Sequence, residues 1–254
     1  MDHASQIRLI PGAKTAVLFI HGILGSPRHF SHILDLVGLV PEDWSYYNLL
    51  LEGHGGTVSD FSRAGMRKWK EQVWAVFREL SCTHENVVIA GHSMGTLFAL
   101  QLAVECPAKI PMLFLIGSPI RPWVRFSGIS CSLRAMFGLC RPDHPAEKAI
   151  MEAGGTALTP KVWQYIPWAP HMLSLLREAS KTKKLLPKLQ TKTVVFQSRR
   201  DEMVSNFSGK ILLRYPAVDL TTLEESTHFY YSPRDKERIC SAFVKECAWV
   251  SEKI

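Results

Sequence analysis

Val87-Val88-Ile89-Ala90-Gly91-His92-Ser93-Met94-Gly95-Thr96-Leu97-Phe98-Ala99-Leu100 is the stretch on which the fold turns. Four apolar residues lead directly into a G-x-S-x-G pentapeptide, and a helical pattern from Leu97 to Val104 follows it. A serine at such a junction sits in a sharp, strained strand-to-helix turn, where a Cβ at either flanking glycine would clash. The helix start behind it also favours negative charge developing at that point. Ser93 is therefore a candidate nucleophile, and the pattern predicts a buried strand, an elbow and a helix in immediate succession.

The same alternation continues on both sides. Upstream, Ile7–Ile10, the Pro11-Gly12 turn and Ala16–Ile20 read as a short strand, a turn and a buried strand closed by His21-Gly22. Phe30, Ile33, Leu34 and Val37 recur at helical spacing after Pro27. Tyr46–Leu51 reads as a further strand, ended by Gly53-His54-Gly55-Gly56. An amphipathic helix is expected from Met66, Trp69, Val73, Val76, Phe77 and Leu80. Downstream, Met112–Ile116, Thr193–Gln197 and Val218–Leu223 read as strands, with a short helix near Ser205. Ser232-Pro233-Arg234-Asp235 opens a C-terminal helix with a cap serine, proline at the first position and an acid in the first turn. Short apolar strands alternating with helices predict an α/β fold, a mostly parallel sheet with helices on both faces.

Arg121–Gln190 interrupts this order with about 70 residues that carry no convincing strand but several aromatics. A structureless loop of that length would be unusual in a compact domain. The expectation is one domain over 1–254 with a helical cap inserted at about 121–190.

A serine hydroxyl needs a histidine to take its proton and an acid to orient that histidine. His144, His171 and His228 follow Ser93, and only His228 lies in a loop just past an expected core strand. Asp201 follows the strand ending at Gln197 through a short turn, which places its carboxylate at the carboxyl edge of the sheet, where open α/β sheets bind ligands. It is preferred over Asp219, which lies within a strand, and over Glu224 and Glu225. For an oxyanion, the N–H of Met94 is one candidate donor. The loop His21-Gly22-Ile23-Leu24-Gly25-Ser26 supplies the second, from Ile23 or alternatively Leu24. His21, His54 and His92 read as structural neighbours of glycine turns.

His21-Gly22, Gly53-His54-Gly55, the Ser93 pentapeptide, Asp201 and His228 together resemble the serine hydrolases of the α/β-hydrolase superfamily, in particular its compact carboxylesterases and monoacylglycerol-lipase-like enzymes. The resemblance spans nearly the whole chain in the family's order. It implies an α/β-hydrolase fold with a cap after the strand that follows the elbow, and no cofactor or metal. Two departures stand out: a short N-terminal region and a cap whose sequence matches no subgroup. The expected activity is cleavage of a carboxylic ester through an acyl-enzyme on Ser93. Trp123, Phe126, Phe137, Trp163 and Trp168 are candidates to line an acyl pocket, with Met136, Met151 and Met172 beside them.

Composition bounds the alternatives. The chain has 254 residues, 46% of them hydrophobic and 21% charged, as in ordinary globular enzymes. Its net charge of +7 comes wholly from 121–190, where eleven basic residues face four acids, leaving nineteen against nineteen elsewhere. Without a nucleic-acid motif this predicts no nucleic-acid partner, and at most transient contact of the basic cap with an anionic lipid surface. The first residues lack the apolar core of a signal peptide and no apolar run reaches membrane-spanning length, so a cytoplasmic protein is expected. Six cysteines without metal spacing read as reduced thiols. An amidase or acyltransferase with the same residues is the alternative function, and a non-catalytic protein binding a hydrophobic ligand is a more distant one. Oligomeric state is left open.

Overall fold

A computed structural model describes residues 3–121, 134, 139, 141 and 145–253. Its centre is a seven-stranded sheet in the order β1-β3-β2-β4-β5-β6-β7. The strands are β1 (Gln6–Arg8), β2 (Thr15–Ile20), β3 (Ser45–Leu49), β4 (Asn86–His92), β5 (Met112–Ile116), β6 (Lys192–Ser198) and β7 (Val218–Leu223). Only β1 runs antiparallel, pairing with β3; the other neighbours are parallel. The expected mostly parallel α/β sheet is therefore present.

The uninterrupted apolar strands follow from burial on both faces. Successive residues point to opposite sides, so Leu18 and Ile20 of β2 and Ile89 of β4 enter one apolar cluster, while Phe19 and Ala90 enter the other. The first cluster is closed by α2 (Met66–Thr83), through Trp69, Val73 and Phe77, and by α3 (Met94–Glu105). The second is closed by Phe30 and Leu34 and by the C-terminal helix α7 (Pro233–Lys253), through Ile239, Phe243 and Val250. Burying a large aliphatic or aromatic side chain contributes roughly 1.5–3 kcal/mol. Phe243 meets both Phe19 and Phe114 edge or tilted, with ring centroids at 6.1 and 5.2 Å.

Local chemistry explains where the elements depart from expectation. The helix expected from Phe30 to Val37 is instead a π-helical turn, His29–Ile33, and a 3-10 turn, Val37–Leu39. Asp35, at φ 57°, lies between them and breaks the run. The first strand is Gln6–Arg8 rather than Ile7–Ile10, because the Ile10 N–H donates to Ser45 Oγ instead of the ladder. Leu50 and Leu51 leave β3 in the same way, their N–H groups donating to Ser5 Oγ and His21 Nε2. A helix not expected from the pattern, α1 (Val58–Arg63), is held by a reciprocal cap between Thr57 and Asp60.

Between β5 and β6 the described residues form α4 (Pro145–Ala153), a 3-10 segment (Val162–Trp168) and α5 (Ala169–Leu185). The sheet is completed by α6 (Phe207–Leu212), between β6 and β7. Helix α5 is fastened to the body through a buried polar cluster: Glu178 Oε1 accepts from Gln101 Nε2 of α3 at 2.9 Å and pairs with Lys70 of α2 at 3.3 Å. Cys82, Cys106, Cys240 and Cys247 are free thiols, and burial pushes Cys247 up to about 12. Among the described residues no helix is long and apolar enough to cross a membrane.

Candidate active site

Ser93 stands at the carboxyl end of β4 with φ 51° and ψ −122°, a region that L-residues avoid. The surrounding glycines are obligatory for close approach. A Cβ on Gly95 would lie 2.0 Å from the Ile20 carbonyl oxygen, and one on Gly22 would lie 2.7 Å from Ser93 Cβ. The elbow is held in place by the Ser93 N–H, which donates to the Ile116 carbonyl at 2.9 Å.

The loops after β6 and β7 deliver the partners to the same sheet edge. Ser93 Oγ lies 3.0 Å from His228 Nε2, and His228 Nδ1 lies 2.9 Å from Asp201 Oδ2. An ionised carboxylate only accepts, so Nδ1 carries the proton and Nε2 offers its lone pair to the Ser93 hydroxyl. Asp201 is fixed by the loop it belongs to: Oδ1 accepts the Met203 and Val204 N–H groups at 2.9 and 2.7 Å, and Oδ2 accepts from Gln197 Nε2 at 3.1 Å. The His228 loop is anchored from α7, where Asp235 Oδ2 accepts from Ser226 Oγ at 2.7 Å and from the Glu225 N–H at 3.1 Å.

Burial pulls the His228 imidazole down, but the Asp201 charge and hydrogen bond, with Glu202 adding to them, outweigh it and raise the ring above its ordinary 6.5. Glu202 is a residue that sequence reasoning missed. Its Oε2 accepts the His228 backbone N–H at 3.0 Å, and burial raises its own carboxyl. Nothing in its sequence position marks it, since it is the His228 loop folding over it that gives it a partner. The competitor acids lie elsewhere: Asp219 is exposed on β7, Glu225 is exposed and Glu224 pairs with Arg199.

Four further histidines pack behind the site, all buried and all held below 6.5 by desolvation. His92 Nε2 donates to the His228 carbonyl at 3.2 Å, and its ring stacks on His29 at 3.6 Å. His21 accepts the Leu51 N–H at Nε2 and donates from Nδ1 to the Gly22 carbonyl. His54 Nε2 accepts the Leu24 N–H at 3.1 Å, which engages one of the two alternative oxyanion donors. The N–H groups of Ile23 and Met94 have no acceptor among the described residues and remain available. Of the other candidate histidines, His171 is buried on α5 against Phe61 and Trp69, and His144 lies outside the described residues.

Ser93 and His228 open into a cavity of about 390 Å³. Its walls are overwhelmingly apolar and include Ile23, Leu24, Leu158, Met172, Leu175 and Leu176. Trp168 lines it, with its Nε1 donating to Ser62 Oγ at 3.0 Å. Trp163 does not: it is 62% exposed and stands outside the lining, and Met151 is likewise exposed outside it. Trp123, Phe126, Phe137 and Met136 lie outside the described residues. The lining that the pattern did not single out includes Leu158, Leu175 and Leu176, because a leucine facing a cavity and one facing a core have the same spacing.

The roof and the oxyanion-side loop are joined through the main chain. The Gly155 N–H donates to the Leu24 carbonyl at 2.9 Å, its carbonyl accepts the Gly55 N–H, and the Ala157 N–H donates to the Gly56 carbonyl at 2.9 Å. A Cβ at Gly155 would lie 2.1 Å from the Gly25 carbonyl oxygen, so only glycine fits there.

A strained serine elbow, a hydrogen-bonded histidine and a parallel sheet are the attributes of an α/β-hydrolase. The model of the alpha/beta hydrolase family matches residues 17–242, and the chain belongs to that family. A Haemophilus influenzae protein provisionally described as an esterase/lipase is 28% identical over 114 residues, 43% of this chain; the match spans only 36% of that relative's length. Among solved structures, one from a study of the metagenome-derived lipolytic enzymes LipS and LipT superposes with TM-score 0.70 at 22% identity, covering 96% of this chain and 98% of that one. The monoacylglycerol lipase of Paleococcus ferrophilus superposes with TM-score 0.69 at 14% identity, over 97% and 98%. Est1E of Butyrivibrio proteoclasticus, with ferulic acid bound, gives 0.61 at 16% identity over 95% and 92%.

Proposed function

We propose that this chain is a serine hydrolase of carboxylic esters, of carboxylesterase or monoacylglycerol-lipase type, acting through Ser93, His228 and Asp201. The observation that carries this reading is the hydrogen-bonded line from Ser93 Oγ through His228 to Asp201, opening into an apolar cavity. Ser93 Oγ attacks the ester carbonyl carbon while its proton passes to His228 Nε2. Asp201 holds the ring and stabilises the imidazolium that results. The Ile23 and Met94 N–H groups receive the oxyanion. Collapse of the tetrahedral species breaks the bond to the alkoxide, which takes the proton from Nε2 and leaves as the alcohol. Water, deprotonated by the same nitrogen, then attacks the acyl-serine and releases the acid and the free Ser93 hydroxyl.

The apolar walls support an acyl chain as the group bound, and the helices between β5 and β6 act as a cap over it. The lipolytic and esterase activities named for the structural relatives are consistent with this substrate class. The compartment expected for this activity is the cytoplasm, a reducing environment that suits the four free thiols among the described residues. The test is turnover of a series of chromogenic acyl esters of increasing chain length by the wild type and by Ser93→Ala. Turnover lost by at least about a thousandfold in the variant supports the reading. Ester turnover that survives the substitution, or no turnover on any ester, overturns it.

A further inference from the structure

Among the described residues between β5 and β6, several large apolar side chains are exposed on the outer surface. Ile166 is 72% exposed, and Val162, Trp163, Leu173 and Leu176 are each exposed by half or more. At 100° per residue, Leu173, Arg177 and Lys184 lie within about 40° of one another around α5. The opposite face, with His171, Ala179 and Thr182, is buried against the body. An apolar stripe bordered by cations therefore points outward.

The charge of this region is one-sided. Residues 158–190 contain six basic side chains, Lys161, Arg177, Lys181, Lys183, Lys184 and Lys188, against a single acid, Glu178. That acid is turned inward, paired with Lys70 and bonded to Gln101. The outward face thus presents positive charge around exposed hydrocarbon. It is also continuous with the cavity, since Met172 and Leu176 line the cavity while remaining over a third exposed.

We propose that this face, formed by Val162–Trp168 and the outer side of α5, docks on a lipid bilayer bearing anionic headgroups. Ile166, Trp163 and Leu173 enter the headgroup boundary and Arg177 and Lys184 meet the phosphates, which brings the cavity mouth against the membrane. A protein partner would be expected to bury such a stripe against a complementary shape, whereas a bilayer requires only hydrocarbon surrounded by positive charge. The use of the docking, delivery of a lipid ester to Ser93, rests on the proposed ester hydrolysis; the docking itself does not.

The test is flotation of the Ser93→Ala chain with vesicles of phosphatidylcholine containing about 30% phosphatidylglycerol, against pure phosphatidylcholine, at low and high salt. Binding to the anionic vesicles should weaken with salt and with loss of the anionic lipid. In the double variant Ile166→Glu, Leu173→Glu the bound fraction should fall about tenfold or more, through lost apolar burial and added negative charge. The same pair in the Ser93 background should hydrolyse a short soluble ester at the wild-type rate, which verifies that the site is folded. Absence of vesicle binding, or binding that the double variant retains, overturns the proposal. A concentration-dependent dimer abolished by the same variant would also overturn it, assigning the face to a second copy. Vesicle binding by a chain without esterase activity would leave the docking standing and remove the proposed reaction. Esterase activity without vesicle binding would do the reverse.

Discussion

Lowering the pH from 7 to 5 should destabilise this fold through the histidines packed behind Ser93. His21 is held down to about 4 and His29 to about 3, in both cases chiefly by burial. An unfolded histidine takes up its proton near 6.5. The unfolded chain therefore binds more protons than the folded one as the pH falls through that value. Stability is present above the unfolded pKa and is lost on acidification. Integrated between pH 7 and pH 5, each of these two groups removes about 2 kcal/mol, or about 4 kcal/mol together. His54 and His92, also depressed by burial, push in the same direction. His228 opposes them: its folded value is raised, so its contribution is fully present below 6.5 and is lost as the pH rises through the folded value. Against a typical total of about 5–15 kcal/mol, the net loss is large. Urea titrations followed by tryptophan fluorescence at the two pH values measure it directly, and His29→Phe should shrink the difference by about 2 kcal/mol. Equal stability at the two pH values, or greater stability at pH 5, would refute the assignment of these rings as neutral, buried acceptors and donors.

Three further outcomes are expected. Glu202→Gln retains an acceptor for the His228 N–H but removes a charge that raises the ring, so the acid limb of kcat/KM should move to lower pH. A limb that stays in place would mean that His228 does not feel the Glu202 charge. Gly155→Ala forces a Cβ to within 2.1 Å of the Gly25 carbonyl oxygen, and should cost about 1–3 kcal/mol in a thermal melt while also lowering kcat. An unchanged melt and rate would show that the roof and the oxyanion-side loop are not coupled. Leu175→Trp fills part of the cavity, so the chain-length profile should shift to shorter acyl groups with acetate turnover preserved. A profile that keeps its long-chain optimum would place the acyl group elsewhere.

The parts of the fold legible in the sequence were those written in local chemistry. Met112–Ile116 and Val218–Leu223 coincide with β5 and β7, since an apolar or alternating run bounded by turn residues has little choice of conformation. The C-terminal helix begins at Pro233 as Ser232-Pro233 dictates, with Ser232 Oγ accepting the Asp235 N–H at 3.2 Å. The stretch from Phe30 to Val37 misled because apolar spacing cannot reveal a single left-handed residue such as Asp35.

At the site, Ser93, His228 and Asp201 could be named because each follows a strand whose end the sequence marks. The preference for the Ile23 N–H over that of Leu24 has no such mark behind it; in the structure His54, thirty residues away, accepts the Leu24 N–H. The cavity wall was the least legible part. Of the aromatic candidates Trp168 lines the cavity while Trp163 is exposed outside it, and Leu158, Leu175 and Leu176 line it with no aromatic signal to mark them.

The backbone of Ser93 has a consequence for how such a protein could change over time. A non-glycine residue held in a sparsely populated conformation costs on the order of 1–3 kcal/mol, and Ser93 is held at φ 51° with Gly22, Gly91 and Gly95 closely packed about the elbow. Ser93→Gly should therefore raise the unfolding free energy by about 1 kcal/mol while abolishing any reaction at the hydroxyl, a gain readable as a higher urea midpoint. Selection for thermal robustness alone would tend to erase the side chain at this position. Its retention in a lineage would record selection on chemistry, which makes residue 93 a more discriminating marker of activity among descendants of this chain than any residue of its core.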